Sequence, residues 1–316
     1  MRDHPQFNAY VALTCVCFFW GTTYLGIRMA LESFSPVMLV CIRYTISGVL
    51  MLGGALLMGA HLPRGRELWQ TAGYGVVTLG IGNGCLAFAE LWIPSGLAAL
   101  FVTTSPFWLV GTEALAPGGE PLHAPTIRGM LVGSIGVALL VGPAALRGTS
   151  GTLGGFLLLQ LGCAGWAIGS IAQRRQTSRA HPFVSGAVQQ LATGLVYTVP
   201  ALLHPQPVHW TPRGAGALAY LVMFGSIVGY SAYVFALDRL PVSVASIYTY
   251  INPGVAVALG WLFYREPFGV REAIAMAIIF AGVAIVKRVS VAVRKLGAAG
   301  PVESGPDSLE STRPNL

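Results

Sequence analysis

Apolar runs of membrane-spanning length recur along almost the whole chain, and this feature limits the fold more than any other. A helix needs about 20 mostly apolar residues to cross the hydrocarbon core of a bilayer. Short segments rich in Gly, Pro and Ser separate the runs and predict turns between them. The ten runs are residues 8–27, 36–60, 70–91, 95–116, 126–146, 152–173, 183–203, 215–237, 241–264 and 269–287. We therefore predict an all-α integral membrane protein with ten transmembrane helices.

The composition agrees with a membrane protein and argues against soluble classes. Of the 316 residues, 54% are hydrophobic and 10% are charged, whereas soluble domains carry about 25% charged residues. The alternation of apolar and polar residues that is typical of transmembrane β-barrel strands is absent. The net charge of +7 is scattered between the apolar runs rather than collected into a basic stripe. A nucleic-acid partner is therefore not expected.

The distribution of Lys and Arg predicts the orientation in the membrane. With the N-terminus inside, thirteen of these residues fall in inner segments and five in outer segments, while Arg43 lies within a span. This excess follows the positive-inside rule, so both termini are expected in the cytoplasm. Residues 289–316 are rich in Gly, Pro, Ser and charge, and they predict a disordered cytoplasmic tail.

An internal repeat divides the spans into two groups of five, residues 8–146 and 152–288. Because each group holds an odd number of spans, the second must enter the membrane inverted. A shift of 147 residues aligns Pro94 with Pro241 and Pro106 with Pro253. A shift of 146 aligns Trp20 with Trp166, Arg28 with Arg174, Pro36 with Pro182, Glu120-Pro121 with Glu266-Pro267, and Gly136-Val137-Ala138 with Gly282-Val283-Ala284. Inverted repeats place a substrate site near the midplane between the two units, so this pattern predicts a transporter.

Four segments of the two repeats carry a resemblance to a known family. They are WGTTYLGIRMALESFSP (20–36), GNGCLAFAELWIPSGLAALFVTTSPFW (82–108), FGSIVGYSAYVFALDRLP (224–241) and YTYINPGVAVALGWLFYREP (248–267). Together they resemble the drug/metabolite transporter superfamily, and more closely its EamA-type ten-helix exporters of bacterial inner membranes. The resemblance covers about residues 8–288. It implies a 5+5 inverted fold with a central cavity, and export of amino acids, metabolites or toxic organic compounds.

Two charged residues lie inside predicted spans. A charge at the bilayer centre costs about 2.5–3.5 kcal/mol on insertion scales, so such residues are functional candidates. Arg43 and Glu90 both fall in the outer third of the membrane, and the second repeat has Gln189 and Leu237 at the matching positions. We predict that they form a pair in which Glu90 carries a coupling proton or cation. The alternatives are a static ion pair, or a Glu90 side chain that caps the next helix near Ser95.

The ninth span carries polar residues near mid-membrane, beside a proline. Tyr248 and Asn252 lie on one face, four residues apart. Pro253 removes a backbone donor and bends the helix, and Pro106 is expected to bend the fourth span at the matching position. A bent helix beside a tyrosine and an amide predicts part of a binding wall.

Aromatic and amide side chains of other spans complete the expected cavity. Asn83 lies deep in the third span, where an interhelical hydrogen bond is the competing interpretation. Trp20 and Trp166 match between the repeats, and they would suit cationic or aromatic substrates through stacking and cation–π contact. Packing that the fold requires in both copies is the alternative for this pair. The expected cavity residues are Trp20, Tyr24, Asn83, Trp166, Gln189, Tyr230, Tyr233, Tyr248 and Asn252.

Other classes of function find little support in the sequence. The six histidines lie in predicted loops or at span ends, which disfavours a serine–histidine hydrolase, and no metal-binding or phosphate-cradling motif is present. The five cysteines fall inside apolar runs without a C-x-x-C motif, so no disulfide or metal site is expected. We expect a transporter rather than an enzyme, with no cofactor, driven by an ion gradient such as protons or passive. Its expected partners are a small-molecule substrate and the lipid bilayer, in a monomer or a homodimer.

Overall fold

Helices joined by short turns make up the part of the chain that the computed structural model describes, which is residues 5–119, 121–146, 150–176, 180–240, 244 and 248–298. No strand occurs among these residues. The residues of the first sequence repeat form α1 (Pro5–Ala30), α2 (Pro36–Leu57), α3 (Arg66–Ala89), α4 (Ser95–Leu115) and α5 (Ala124–Leu146). The Ser35 hydroxyl accepts from the Met38 backbone N–H at 3.3 Å and caps the start of α2.

The second repeat forms a corresponding series of helices. They are α6 (Ser150–Arg175), α7 (Pro182–Leu203), α8 (Pro212–Tyr220, Leu221–Val228 and Gly229–Arg239 in succession), α9 (Tyr248–Tyr264) and α10 (Val270–Ala298). Proline occupies the first turn of α2, α7 and α8, where its missing N–H costs no helical hydrogen bond. The Thr211 hydroxyl caps α8 by accepting from the Gly214 N–H at 3.0 Å.

Six of these helices, α1 to α4, α6 and α8, are long and apolar enough to cross a membrane, and shorter apolar stretches cover Ala124–Leu140 and Ile251–Tyr264. Large apolar side chains such as Leu57 and Leu115 are exposed on the outside, where lipid would cover them. The all-helical membrane class predicted from the sequence is therefore confirmed. Helix α10 continues to Ala298, beyond the expected start of the tail at 289, and residues 299–316 lie outside the described part of the chain.

Helix contacts between the two repeats come in matching pairs. Helix α2 packs on α7, and α5 packs on α10. Helix α1 packs on α8 and α9, and its counterpart α6 packs on α3 and α4. At the α2–α7 crossing, two close glycine contacts are also related by the repeat. Gly48 lies against Leu191, and Gly194, which the 146-residue shift aligns with Gly48, lies against Thr45. The same shift aligns Thr45 with Leu191, so each contact is the counterpart of the other.

Helices α3 and α8 each contain a π-helical segment in their middle. The segments are Val76–Ile81 in α3 and Leu221–Val228 in α8, at corresponding places in the two repeats. A π-helical turn widens the backbone locally and occurs frequently at functional sites. Residues at or next to both segments reach the cavity described below.

Candidate functional site

A cavity lies between helices of the two repeats. Its volume, counted as the space in which the centre of a water molecule can lie, is about 100 Å³. One water needs about 10–15 Å³ of this space. The cavity therefore has room for several waters or a small solute. Eight of the residues singled out from the sequence line it: Trp20, Tyr24, Arg43, Asn83, Trp166, Tyr230, Tyr248 and Asn252.

An aromatic cluster forms one wall of the cavity. The rings of Trp20 and Trp166 meet edge to face, with centroids 5.6 Å apart, so the two repeat-matched tryptophans touch directly. Tyr248 and Tyr233 lie 5.2 and 4.9 Å from the Trp20 ring. Both interpretations of the tryptophans thus apply together, because they pack against each other and still line the cavity. The Trp20 indole N–H also donates to the Gly225 carbonyl at 3.1 Å, which ties α1 to the π-helical segment of α8.

Two of the expected cavity residues lie behind the wall. Tyr233 packs between the rings of the cluster but does not line the cavity. Gln189 is fully buried, and its side-chain oxygen accepts a hydrogen bond from the Tyr230 hydroxyl. These two residues support the lining residue Tyr230 and the tryptophans instead of facing the cavity themselves.

The two asparagines differ in how free their side chains are. The Asn252 amide, in the orientation that its hydrogen bonds favour, donates to the carbonyls of Cys17 at 3.0 Å and Tyr248 at 3.1 Å. It therefore joins α9 to α1 as well as lining the cavity. Asn83 also lines the cavity, and no hydrogen bond joins its side chain to another described residue.

The helices around the two prolines that were predicted to cause bends, Pro106 and Pro253, differ between the repeats. Helix α4 is interrupted at Thr103 and Thr104, directly before Ser105 and Pro106, and both threonine hydroxyls donate to carbonyls of the preceding turn. Pro253, by contrast, lies inside a continuous stretch of α9. Neither proline lines the cavity.

Arg43 reaches the cavity from α2 and is 5% exposed. Its Nε donates to the Ser226 hydroxyl at 2.8 Å, on the π-helical segment of α8. Its guanidinium carbon lies 5.0 Å from the centre of the Tyr44 ring. The Ser226 carbonyl in turn accepts from the Gln190 amide at 3.4 Å, which helps to hold this part of α8 against α7.

The predicted ion pair between Arg43 and Glu90 is not formed. Glu90 lies in the turn after α3, fully buried, and neither of its carboxylate oxygens has a hydrogen-bond partner among the described residues. Its backbone carbonyl accepts from the Arg28 guanidinium. The pairing failed because depth along two helices does not say which way each side chain points around its axis.

The alternative role for Glu90, capping α4, is wrong as well. Glu266 performs it from the segment that follows α9. Its Oε1 accepts from the Ser95 N–H and hydroxyl and its Oε2 from the Gly96 N–H, each at 2.9 Å. A carboxylate at a helix N-terminus satisfies free N–H groups and complements the helix dipole. The Glu-Pro pair that recurs in the two repeats is the sequence signal that could have indicated this structural role of Glu266.

The chain matches the sequence profile of a known protein family twice. The sequence profile of the EamA-like transporter family matches residues 7–142 and matches again over residues 153–288. The chain belongs to the EamA-like transporter family. The family resemblance that the sequence shows is thereby confirmed, and the family profile matches the chain twice.

Similar proteins in bacteria are described as membrane transporters. "Uncharacterized inner membrane transporter YedA" of Escherichia coli (strain K12) is 33% identical over 285 residues, which cover 89% of this chain and 90% of that protein. "Probable terminal-alkyne amino-acid exporter" of Streptantibioticus cattleyicolor is 25% identical, with 89% of this chain and 94% of that protein covered. A solved crystal structure shares the fold, with a TM-score of 0.66, 22% identity, and coverage of 91% of this chain and 98% of the other.

Proposed function

We propose that this membrane transporter is a secondary transporter of the bacterial inner membrane that exports small organic molecules by alternating access. The observation that carries the proposal is the cavity between the two repeats, lined by the matched pair Trp20 and Trp166. Aromatic walls with a few convergent polar groups are typical of small-molecule sites. The relative named an amino-acid exporter is consistent with a small organic substrate and with outward transport.

Alternating access follows from a 5+5 inverted arrangement, which is part of the proposal. The paired contacts described above support it, because exchanging the two repeats converts them into one another, as a twofold axis would. Rocking of one half against the other would then open a site between them to either side of the membrane. The excess of Lys and Arg on the inner side supports cytoplasmic termini.

Glu90 is the group that we propose for proton coupling. A buried ionised carboxylate without hydrogen bonds is costly, so burial favours its neutral, protonated form, whereas the Arg28 guanidinium at its backbone carbonyl favours the charged form. A small movement of α1 against α3 would shift this balance. Glu90 would therefore take up or release a proton as the two halves move, and Arg28 replaces Arg43 as its basic neighbour.

The experiment that tests transport is flux through purified protein in lipid vesicles. A panel of amino acids, organic acids and organic cations is supplied on one side, with and without a pH gradient. We expect saturable, protein-dependent flux of at least one class. Flux no faster than in empty vesicles for the whole panel would contradict the proposal.

The coupling role is tested with Glu90→Gln, which keeps the shape of the side chain but cannot exchange a proton. We expect it to lose the acceleration of flux by a pH gradient while it keeps its folding. Glu113→Gln is the matched control, because Glu113 forms a partly exposed ion pair with Arg175 and neither residue lines the cavity. Unchanged gradient-driven flux in the Glu90 variant would rule out the coupling role.

A further inference from the structure

The charge of the cavity is carried by one residue. Among the described residues that line it, Arg43 alone is charged, and the others are aromatic, apolar or neutral polar. Arginine side chains are cationic in proteins. The cavity therefore holds a permanent positive charge that is 95% withdrawn from solvent, since the residue is 5% exposed.

Arg43 has no carboxylate partner in the described part of the chain. Its contacts are the Ser226 hydroxyl at Nε and the face of the Tyr44 ring, both of which are neutral. A buried charge is normally paired, because its removal from water is not offset by neutral contacts alone. With Nε directed to Ser226, the two terminal NH₂ groups remain for an anion that no described residue supplies.

Carboxylates elsewhere in the described part of the chain have other positions and partners. Glu266 accepts from the N-terminus of α4, and Glu113 pairs with Arg175. Glu32 accepts from the Tyr264 hydroxyl and lies 3.7 Å from Arg213. Glu90, the partner expected from the sequence, lies beyond the ion-pair distance of Arg43 and does not line the cavity.

We propose that the cavity binds a small organic anion, whose carboxylate pairs with Arg43 and whose aromatic or aliphatic body lies against Trp20, Trp166 and Tyr248. The inference rests on the proposed function, since it names the chemical class of the transported molecule. The arginine fork matches a carboxylate with two parallel hydrogen bonds, and the aromatic rings cover the apolar part. The Asn83 amide, which has no hydrogen-bond partner among the described residues, is available for a further polar group on the substrate.

This assignment differs from the substrates that the tryptophans alone suggest. Aromatic rings by themselves suit organic cations as well as aromatic compounds. A fixed guanidinium in the same cavity repels a cation and attracts an anion, because Coulomb energies are large where water is excluded. An organic cation is therefore excluded as the main substrate class.

Equilibrium binding to the purified full-length protein tests the proposal. The probes are 3-phenylpropionate, its neutral amide 3-phenylpropionamide and the cation 3-phenylpropylamine, which share one aromatic body and differ in charge. Each is titrated at millimolar concentration at neutral pH, with thermal stabilisation as the readout of binding. We expect the acid to bind at least about tenfold more tightly than the amide, as for a charge-assisted hydrogen bond, and the amine not to bind.

Variants at Arg43 separate its charge from its role in folding. Arg43→Gln removes the charge and is expected to abolish the preference for the acid over the amide. Arg43→Lys keeps the charge without the fork, and we expect intermediate affinity for the acid. Arg213→Gln is the control at an exposed arginine outside the cavity, and it should bind the acid as the parent does. The melting temperature without ligand shows whether each variant is folded.

The outcomes distinguish this inference from the proposed function. Equal affinity for acid and amide, tighter binding of the amine, no binding of the acid, or acid binding unchanged in folded Arg43→Gln would each overturn the anion assignment. Flux of neutral or cationic compounds alone would leave the transporter proposal intact and overturn the inference. Arg43-dependent binding of the acid without any flux would support the anion assignment and contradict the proposed transport function.

Discussion

Gly48, in the middle of α2, has no room for a methyl group. A Cβ atom built there would lie 2.5 Å from the Leu191 backbone nitrogen and 2.7 Å from its Cα. Favourable contacts between heavy atoms need about 3.5–4.0 Å, so α2 and α7 would have to separate by about 1 Å. The obstacle is backbone, which cannot rotate away as the end of a side chain can. We therefore predict that Gly48→Ala destabilises the protein.

The size of the effect follows from two opposing terms. Overpacking a tight contact costs about 1–3 kcal/mol, and replacing a mid-helix glycine by alanine gains about 0.5–1 kcal/mol. Gly53, on the same helix, has no atom within 4 Å of an added Cβ. Gly53→Ala therefore gains from the replacement of a mid-helix glycine without the cost of overpacking. The difference between the two variants isolates the clash, and we expect Gly48→Ala to be about 1–3 kcal/mol less stable than Gly53→Ala.

The measurement is the free energy of unfolding in mixed detergent micelles, obtained by titration with a denaturing detergent. Gly194→Ala supplies a second comparison, because its Cβ would lie 2.5 Å from the Thr45 backbone nitrogen at the matching contact. It should lose a similar amount. Equal stability of the Gly48 and Gly53 variants would refute the close approach of α2 and α7.

Two further predictions concern hydrogen bonds that cross between helices. Glu266→Gln should destabilise the protein by about 1–3 kcal/mol in the same unfolding titration, because one N–H donor at the start of α4 loses its acceptor. Glu113→Gln, which removes a charge from a partly exposed ion pair, should cost at most about 1 kcal/mol. Equal losses would count against the cap. Tyr230→Phe should cost about 1–3 kcal/mol, because it leaves the buried Gln189 side-chain oxygen without its donor, and a stability equal to the parent's would show that this bond contributes nothing.

The cavity residues were predictable to different degrees. Trp20 and Trp166 emerged from the repeat, because a residue type that recurs at the same point of two copies has the same depth in both. Tyr233 and Gln189 were also near the correct depth, yet they lie behind the wall. Sequence spacing places a residue along a helix axis, but neighbouring helices decide which direction faces the cavity.

The charged residues show the same limit more strongly. Arg43 was identified as a candidate because a charge inside an apolar run is costly and therefore rare. Its contact with Ser226 was missed, because it depends on the π-helical segment of α8, which has no sequence pattern of its own. The capping role of Glu266 was not predicted, because the helix that it caps lies more than a hundred residues earlier in the chain.

The amino-acid sequence by itself determined the helical membrane class, the two repeats and the family, because these depend on local composition and on residues that recur in register. Only the tertiary structure decided which polar groups meet. Close glycine contacts such as Gly48 against Leu191 set the distance and rotation of the helices, and these in turn place Arg43 at the cavity and Glu90 away from it. A pairing between distant charges is a property of that packing, since nothing in the spacing of two residues along separate helices contains it.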